Sequence, residues 1–365
     1  FLEGLSDWHN VWLDHPQAGP YWQQLNIEKF HDQTETPTYH QGAWFDIFLA
    51  GTLKNYLGMK HQARTEEARR SQKLIIGPWI HGAPNINKHV VGEFDFGVDA
   101  AKDFNQMRLP WFDYWLKGIA TGVMDEPPVQ IFVMGRNQWR AEEDWPLPDT
   151  CYTNYYLHGG HSGSIDSLND GTLASAPPLA SENPDSFLYD PVNPVPTLAG
   201  NTLGIPSGVV DQRPVDAQCL TFTSEPLAEE LEVTGPVQAI LYGMSSAPDT
   251  DWVVRLTDVH PDGYSRPLCD GILRARYRES FEQERLLEPG QIYRFEVDLW
   301  ATSNVFLEGH RIRVVITSSS FPRFDRNLNT GGPIHKEAAG QIAINTVLHD
   351  VLRPSHLVLP VIPPR

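Results

Sequence analysis

The chain has 365 residues, a length that predicts two or three domains rather than one. Its formal net charge of −18 would repel a phosphate backbone and argues against nucleic acid as a partner. No uninterrupted apolar stretch approaches the roughly 20 residues that cross a bilayer, so we expect no membrane span. The three cysteines, Cys151, Cys219 and Cys269, are too few and too scattered for a disulfide framework or a Cys-rich zinc site.

The start of the chain carries no recognisable export signal. Its first residue is Phe1, and neither a basic segment nor an apolar signal core precedes the first motif. We therefore expect the chain to begin inside a longer protein. Its compartment stays open on this basis, with the cytoplasm slightly favoured.

Tryptophan divides the sequence into two differently built regions, because nine of the eleven tryptophans lie before residue 150. Residues 1–30 are predicted as short helical pieces, with Trp8, Trp12 and Leu13 at helical spacing before the helix-breaking pair His15-Pro16. This first part is too small to be a domain of its own.

Residues 31–122 have the pattern of a parallel α/β unit. The predicted elements are, in chain order, an extended run Thr38 to Ala43, a helical stretch from about Phe48 to Leu57, an extended run Lys73 to Ile76 that closes at Gly77-Pro78, and a helix from about Asp103 to Lys117 in which Pro110 makes a kink or marks the first turn. Strand, helix and strand at this spacing form a βαβ unit with parallel strands.

Residues 123–365 are predicted as an all-β sandwich. Short alternating runs replace the helical period, at Val129 to Met134, Leu231 to Val233, Ala239 to Gly243, Trp252 to Val259, Tyr293 to Leu299 and Arg311 to Ser318. The stretch from His158 to Pro214 is rich in Gly, Ser, Pro and Asn and is too long for a hairpin loop. We expect it to wrap over the sandwich or to reach toward the first domain.

Two titratable residues follow the two predicted parallel strands, Asp46 after the first and His81 after the second. Reactive groups of open parallel sheets gather beyond the carboxyl ends of the strands. If the strands are neighbours, the Asp46 carboxylate can accept a hydrogen bond from the ring of His81 and stabilise the imidazolium that forms during acyl transfer. Each residue also has a plain structural interpretation, Asp46 as a helix N-cap and His81 as one satisfied histidine among 14.

The segments around both residues, Gly42-Ala43-Trp44-Phe45-Asp46-Ile47-Phe48 and Ile76-Gly77-Pro78-Trp79-Ile80-His81-Gly82, resemble the acid and histidine motifs of the CocE/NonD acyl esterases. This family includes cocaine esterase and the α-amino acid ester hydrolases and is related to X-Pro dipeptidyl peptidases. The likeness continues through WFDYWLKG at 111–118, YDP at 189–191, DQRP at 211–214, DTD at 249–251, TSNVF at 302–306 and FPRFDRN at 321–327.

The resemblance implies the C-terminal part of an α/β-hydrolase domain with a remnant of its helical cap, followed by a jelly-roll β-sandwich. It implies a serine acyl hydrolase for a small ester or amide, with Asp46 and His81 as two members of its triad and no cofactor. A Gly-x-Ser-x-Gly elbow does not occur in these 365 residues; the nearest match, Gly160-His161-Ser162-Gly163-Ser164, lacks the last glycine. We therefore expect the serine upstream, in an N-terminal half of the same protein, and this chain alone to be inactive.

Two further positions are candidates for substrate binding. Phe48 matches a family position that lines the acyl pocket, and it is equally well explained as the first core contact of the following helix. Leu203, with Ile205, lies in a loop where the β-domain could close over the pocket, by loose analogy.

Charged residues outside this site favour structural roles. We expect Arg213, Arg323, Asp325 and Arg326 to form an ion-pair network rather than an anion site. Asp249, Asp251 and Asp258 follow no calcium-loop spacing, and no histidine pair has zinc spacing, so no metal is expected.

A rival function from another class is a non-catalytic module, in which the sandwich binds carbohydrate or a protein partner. Activity that depends on His81 would favour the enzyme, and sugar binding that does not depend on His81 would favour the module. In either case a parallel sheet that is cut short exposes an unpaired edge. We therefore expect association with the missing half or a homo-oligomer.

Overall fold

The computed structural model describes residues 4, 7–203 and 206–364. Short helices precede the first strand, as the sequence predicts: α1 (Asp7–Leu13), α2 (Pro20–Gln23) and a 3-10 helix (Ile27–Gln33). The α-helices of the described residues reach at most 14 residues, and none of them is long and apolar enough to span a bilayer.

A four-stranded sheet positions the candidate site. Its elements and connections are, in chain order, β1 (Thr38–Phe45), α3 (Leu49–Gln62), α4 (Glu66–Arg70), β2 (Gln72–Ile80), the two-residue strands β3 (Val90–Val91) and β4 (Phe94–Asp95), α5 (Phe104–Lys117), β5 (Val129–Val133) and β6 (Gln138–Glu142). The strand order is β1-β2-β5-β6, and β3 pairs only with β4. Strands β1, β2 and β5 are parallel, which confirms the predicted βαβ unit.

Strand β2 runs three residues beyond Gly77, so its predicted end at Gly77-Pro78 is wrong. The pairing of β1 with β2 is irregular between Ala43 and Phe45, where Pro78 and Trp79 lie opposite the single residue Trp44. A bulge leaves its extra residue out of the ladder, so the missing N–H of Pro78 costs no hydrogen bond there.

The sequence places Val129 to Met134 in the β-sandwich, and this is also wrong. Strand β5 instead pairs in parallel with β2, with Leu74 opposite Val129 and Ile76 opposite Ile131. A short, buried run of Val, Ile and Phe has the same pattern in a parallel sheet and in a sandwich core, so periodicity cannot separate the two. The domain boundaries after residues 30 and 122 stay a prediction, although the two large sheets divide between Glu142 and Cys151.

The rest of the chain forms an eleven-stranded sheet. Its elements are β7 (Cys151–His158), β8 (Gly171–Ala174), β9 (Asp185–Tyr189), α6 (Arg213–Asp216), β10 (Leu220–Thr223), β11 (Leu231–Ser245), β12 (Asp251–Val259), β13 (Ser265–Arg274), β14 (Tyr293–Phe306), β15 (Arg311–Thr317), β16 (Ala343–Leu348) and β17 (His356–Ile362). Pairing is antiparallel except between β8 and β10. The two predicted runs at 231–233 and 239–243 are one continuous strand, β11.

The two sheets share one hydrophobic core. Backbone hydrogen bonds join them directly, from Met134 N to Ser303 O at 3.0 Å and from Val305 N to Met134 O at 2.8 Å. Gly135 is required at this junction, because a Cβ there would lie 2.0 Å from Val305 O. The β-rich part of the chain, from β7 to β17, is therefore packed against the α/β part, from β1 to β6, rather than tethered to it by a linker.

The charged set predicted as one network is dispersed instead. Arg213 pairs with Asp211, Arg323 with Asp270, and Asp325 with Arg274, whereas Arg326 donates to the carbonyl of Pro191. The partners of Arg323, Asp325 and Arg326 are more than 50 residues away in sequence, which is why the spacing of the charges did not reveal them. The buried Asp249, Asp251 and Asp258 are each paired with an arginine as well: Arg276, Arg274 and Arg266 respectively.

Candidate active site

Parallel register brings Asp46 and His81 together. Phe45, the last residue of β1, lies opposite Ile80, the last residue of β2, so the next residue of each strand emerges at the same edge of the sheet. His81 Nδ1 lies 3.1 Å from both carboxylate oxygens of Asp46. The contact predicted from the sequence is therefore present, and the catalytic roles of the two residues stay a prediction.

Asp46 is held by hydrogen bonds to its carboxylate and to its backbone carbonyl. Its Oδ1 accepts the backbone N–H of Phe48 at 2.8 Å, and its carbonyl oxygen accepts the N–H of Leu49, the first residue of α3, at 3.1 Å. The N-cap of α3 is Phe48, so the interpretation of Asp46 as the N-cap is wrong. Asp46 holds the turn that precedes the helix while its carboxylate faces His81.

The His81 ring is fixed on its Asp46 side and accessible elsewhere. Its side chain is 39% exposed, against 14% for Asp46. Asn85 donates from Nδ2 to the His81 carbonyl at 2.6 Å, which holds the backbone after β2. Among the described residues, none makes a hydrogen bond to His81 Nε2, so this nitrogen is available to a group from elsewhere.

Phe48 contacts the site rather than the core. Its ring meets the His81 ring edge to face, with centroids 5.1 Å apart, and 56% of the residue is exposed. The interpretation of Phe48 as the first core contact of the helix is therefore wrong; Leu49, at 1% exposure, fills that place. A role in binding substrate stays a prediction.

Two adjacent depressions flank the strand ends. A cleft of about 230 Å³ is lined by Asp46 and His81 together with Trp79, Gly82 and Phe104. Leu203 lines a different groove of about 430 Å³, whose walls include Ile47, Trp300 and Phe324. The structure thus places Leu203 beside the site but outside the cleft, and Ile205 lies outside the described residues.

No sequence pattern pointed to Asn201, which contacts the same strand end. Its side chain belongs to the long stretch between β9 and β10, and it donates to the carbonyl oxygens of Trp44 and Asp46 at 3.2 Å each. The composition of that stretch predicted that it could reach the first domain, but no local pattern distinguishes this asparagine from the others.

A group of possible metal ligands lies apart from the site. Within the described part of the chain, Asp258, His260 and His310 bring ligand atoms within 4.8 Å of one another. The two oxygens of Asp258 are occupied by His310 Nδ1 at 2.8 Å and Arg266 Nη2 at 2.7 Å. The guanidinium charge of Arg266 opposes a cation there, so this cluster is explained as a buried ion-pair group.

Comparison with known families places this geometry in context. The family described as the X-Pro dipeptidyl-peptidase C-terminal non-catalytic domain matches residues 121–358, more than half of the chain. The X-Pro dipeptidyl-peptidase (S15 family) matches residues 2–83, the part that contains Asp46 and His81. Cocaine esterase of Rhodococcus sp. (strain MB1 Bresler) is 40% identical over 359 residues, which cover 96% of this chain and 60% of that protein. The chain belongs to the CocE/NonD acyl esterase family.

Solved structures agree with this family. The chain is similar to an aminopeptidase from the marine sediment archaeon Thaumarchaeota archaeon, with a TM-score of 0.87 and 29% identity over 99% of this chain. It is similar to an α-amino acid ester hydrolase with a TM-score of 0.83 and 30% identity. It spans 61% of the length of each, and about the same share of cocaine esterase. The relatives of this CocE/NonD member are thus hydrolases of esters and peptides.

Proposed function

We propose that this chain supplies the acid and the base of a serine acyl hydrolase. His81 is the general base toward a serine hydroxyl and then the general acid toward the leaving alcohol or amine, and Asp46 holds its ring. The contact of His81 Nδ1 with both Asp46 oxygens at 3.1 Å carries this assignment. This contact fixes the tautomer of His81 that has the proton on Nδ1, so that Nε2 has a lone pair to accept the proton of the nucleophile.

The charge that develops during the reaction has a counterion in place. When His81 accepts the serine proton its ring becomes an imidazolium, and the Asp46 carboxylate is already in contact with it. Asp46 is mostly shielded from water, and Coulomb attraction is stronger in such surroundings than in bulk solvent. Asp46 therefore needs no rearrangement at the moment of proton transfer.

The serine itself comes from polypeptide outside these 365 residues, since the sequence contains no Gly-x-Ser-x-Gly elbow. In this proposal the sheet β1-β2-β5 is part of an α/β-hydrolase domain, and the eleven-stranded sheet is a jelly-roll wall that supports it. The substrate is a small ester or amide. Without the serine and its oxyanion donors the isolated chain does not turn over substrate.

Co-expression with the amino-terminal part of a related acyl esterase, the part that carries the nucleophile, tests this function. We expect esterase activity toward an activated aryl ester that is lost in His81→Ala. His89→Ala is the matched control, because His89 Nδ1 also contacts an aspartate, Asp95, at 2.7 Å. Full activity in His81→Ala would contradict the assignment.

The isolated chain allows a second test, with a serine-directed phosphonate. We expect no stoichiometric label. Labelling of one serine per chain would show that the nucleophile lies within these residues.

A binding module is the second candidate function, for residues 121–358 alone. The matched family is described as non-catalytic over that range, and Asp46 and His81 lie outside it. Binding of carbohydrate or of a protein partner that is unchanged in His81→Ala, without complementable esterase activity, would favour this module.

A further inference from the structure

A segment of the β-rich part contacts the ends of both strands that carry Asp46 and His81. Residues 199–203 and 206–209, here called the clamp segment, lie in the stretch between β9 and β10. Asn201 is only 4% exposed, and its Nδ2 donates to Trp44 O and to Asp46 O, each at 3.2 Å. An amide NH₂ has two hydrogens, so both bonds form at once and the backbone on either side of Phe45 is held by one side chain.

The same segment packs against the turn between β3 and β4 and against the end of β2, the strand that precedes His81. Glu93 N donates to Val209 O at 2.8 Å, and a Cβ on Gly92 would lie 2.1 Å from that oxygen. A Cβ on Gly208 would lie 3.2 Å from Cγ2 of Ile80, the residue before His81. Both glycines have positive φ, +65° at Gly92 and +92° at Gly208, so the close approach depends on them.

The clamp segment is closed by its own hydrogen bonds. Gly200 N donates to Gly208 O at 2.8 Å, and Gly208 N donates to Gly200 O at 2.9 Å. Thr202 Oγ1 donates to Pro206 O at 3.0 Å, and Ser207 Oγ donates to Thr202 O at 2.7 Å. On either side of the clamp segment, Thr197 N donates to Phe321 O at 2.7 Å and Gln212 N donates to Ser265 O at 2.9 Å, so the segment that carries Asn201 is anchored to the β-rich part.

We propose that Asn201 is a positioning residue that fixes the Asp46 carboxylate against His81; its effect on catalysis rests on the proposed function. A carboxylate follows its backbone, and Asn201 binds the carbonyl of Asp46 itself. Catalytic groups must be held within about 0.5 Å of their productive geometry, and a displacement of about 1 Å can cost on the order of 100-fold in rate. The β-rich part thus sets the geometry of a reaction for which it supplies no reacting group.

The test uses the tautomer of His81, read from ¹⁵N chemical shifts of the ring in the full chain at a pH where histidine is neutral. We expect the proton on Nδ1 in the wild type, a mixture of tautomers in Asn201→Ala, and an intermediate state in Asn201→Ser, whose hydroxyl can hold only one of the two carbonyls. In the enzyme completed by co-expression, we expect Asn201→Ala to lower kcat about tenfold or more with little change in KM.

Asn345→Ala is the matched control, because Asn345 is also buried and its Nδ2 also makes two bonds, to Thr250 at 2.8 Å and Ser318 at 2.7 Å, within the β-rich part. It should destabilise the chain to a similar degree and leave the tautomer and kcat unchanged. If Asn201→Ala does not fold, Asn201→Ser decides. A wild-type tautomer and kcat in the Asn201 variants would overturn the positioning role. A changed tautomer in Asn201→Ala, with activity that persists in His81→Ala, would instead overturn the proposed function.

Discussion

Replacement of Asp46 by Asn should reverse the tautomer of His81. Asp46 Oδ1 accepts the N–H of Phe48 at 2.8 Å, and both oxygens contact His81 Nδ1. In Asp46→Asn the amide oxygen keeps the bond to Phe48, because an NH₂ group cannot accept it. The NH₂ group then takes the place of Oδ2 and points a donor at Nδ1, which favours the tautomer with the proton on Nε2, where the ring cannot accept one from a nucleophile.

The size of this effect follows from the loss of two functions of Asp46. Asp46 fixes the tautomer of His81, and it is the counterion of the His81 imidazolium. The same exchange in a Ser-His-Asp triad drops kcat about 10⁴-fold, which corresponds to about 5 kcal/mol of transition-state stabilisation. We expect a loss of that order in the enzyme completed by co-expression, with KM little changed. In the isolated chain, ¹⁵N shifts of His81 should move from the Nδ1–H to the Nε2–H form.

Asp95→Asn provides a matched control, since Asp95 Oδ1 binds both His89 Nδ1 at 2.7 Å and Gly97 N at 2.8 Å. Because one oxygen makes both bonds, the amide oxygen of Asn can keep them, so Asp95→Asn should leave the tautomer of His89 and the esterase activity unchanged. If Asp46→Asn retained kcat within tenfold of the wild type, or kept the proton of His81 on Nδ1, the reasoning from the Phe48 hydrogen bond would be refuted.

Three other outcomes are expected. Burial lowers the pKa of His349, but contacts with Asp185 at 3.0 Å and Glu182 at 3.2 Å outweigh burial and raise that pKa above 6.5. The charged His349 ring therefore contributes fully to stability below pH about 6.5, and this contribution is lost as pH rises through the folded-state pKa. The midpoint of unfolding should fall over that pH range, and it should fall less in His349→Gln. Ile76→Ala, in the buried centre of β2, should lower the free energy of unfolding by about 2–5 kcal/mol in urea titrations, whereas Val90→Ala at an exposed position should change it by less than about 0.5 kcal/mol. Because β1 is an edge of its sheet among the described residues, sedimentation should show self-association or a retained second polypeptide, and a clean monomer would contradict this.

Much of the site could be predicted from local sequence. Two neighbouring strands of one sheet that are joined by a helix pair in parallel. Parallel pairing puts Asp46 and His81, which follow the two strands, at the same edge of the sheet. The family motifs around both residues pointed to the same pair. The family resemblance made Phe48 a candidate, but its exposure and its contact with the His81 ring could not be predicted.

The errors arose where local patterns are ambiguous. The sequence predicts β5 as a strand of the sandwich, because a short and mostly buried run has no period that distinguishes parallel from antiparallel neighbours. The sequence predicts the end of β2 at Gly77-Pro78, because proline cannot donate to a ladder, but a bulge in the pairing with β1 removes that restriction. In both cases the partner strand decided the outcome.

The sequence alone determined which residue types are candidates for the chemistry, the order of strand and helix that places them, and the family to which the chain belongs. The tertiary structure decided what fixes their geometry. Asn201 meets Asp46 across 155 residues of chain, and its two acceptors are backbone carbonyls, which every residue type provides. A hydrogen bond of that kind leaves no trace in side-chain spacing, so only the folded chain can reveal that the β-rich part holds the strand end of the acid.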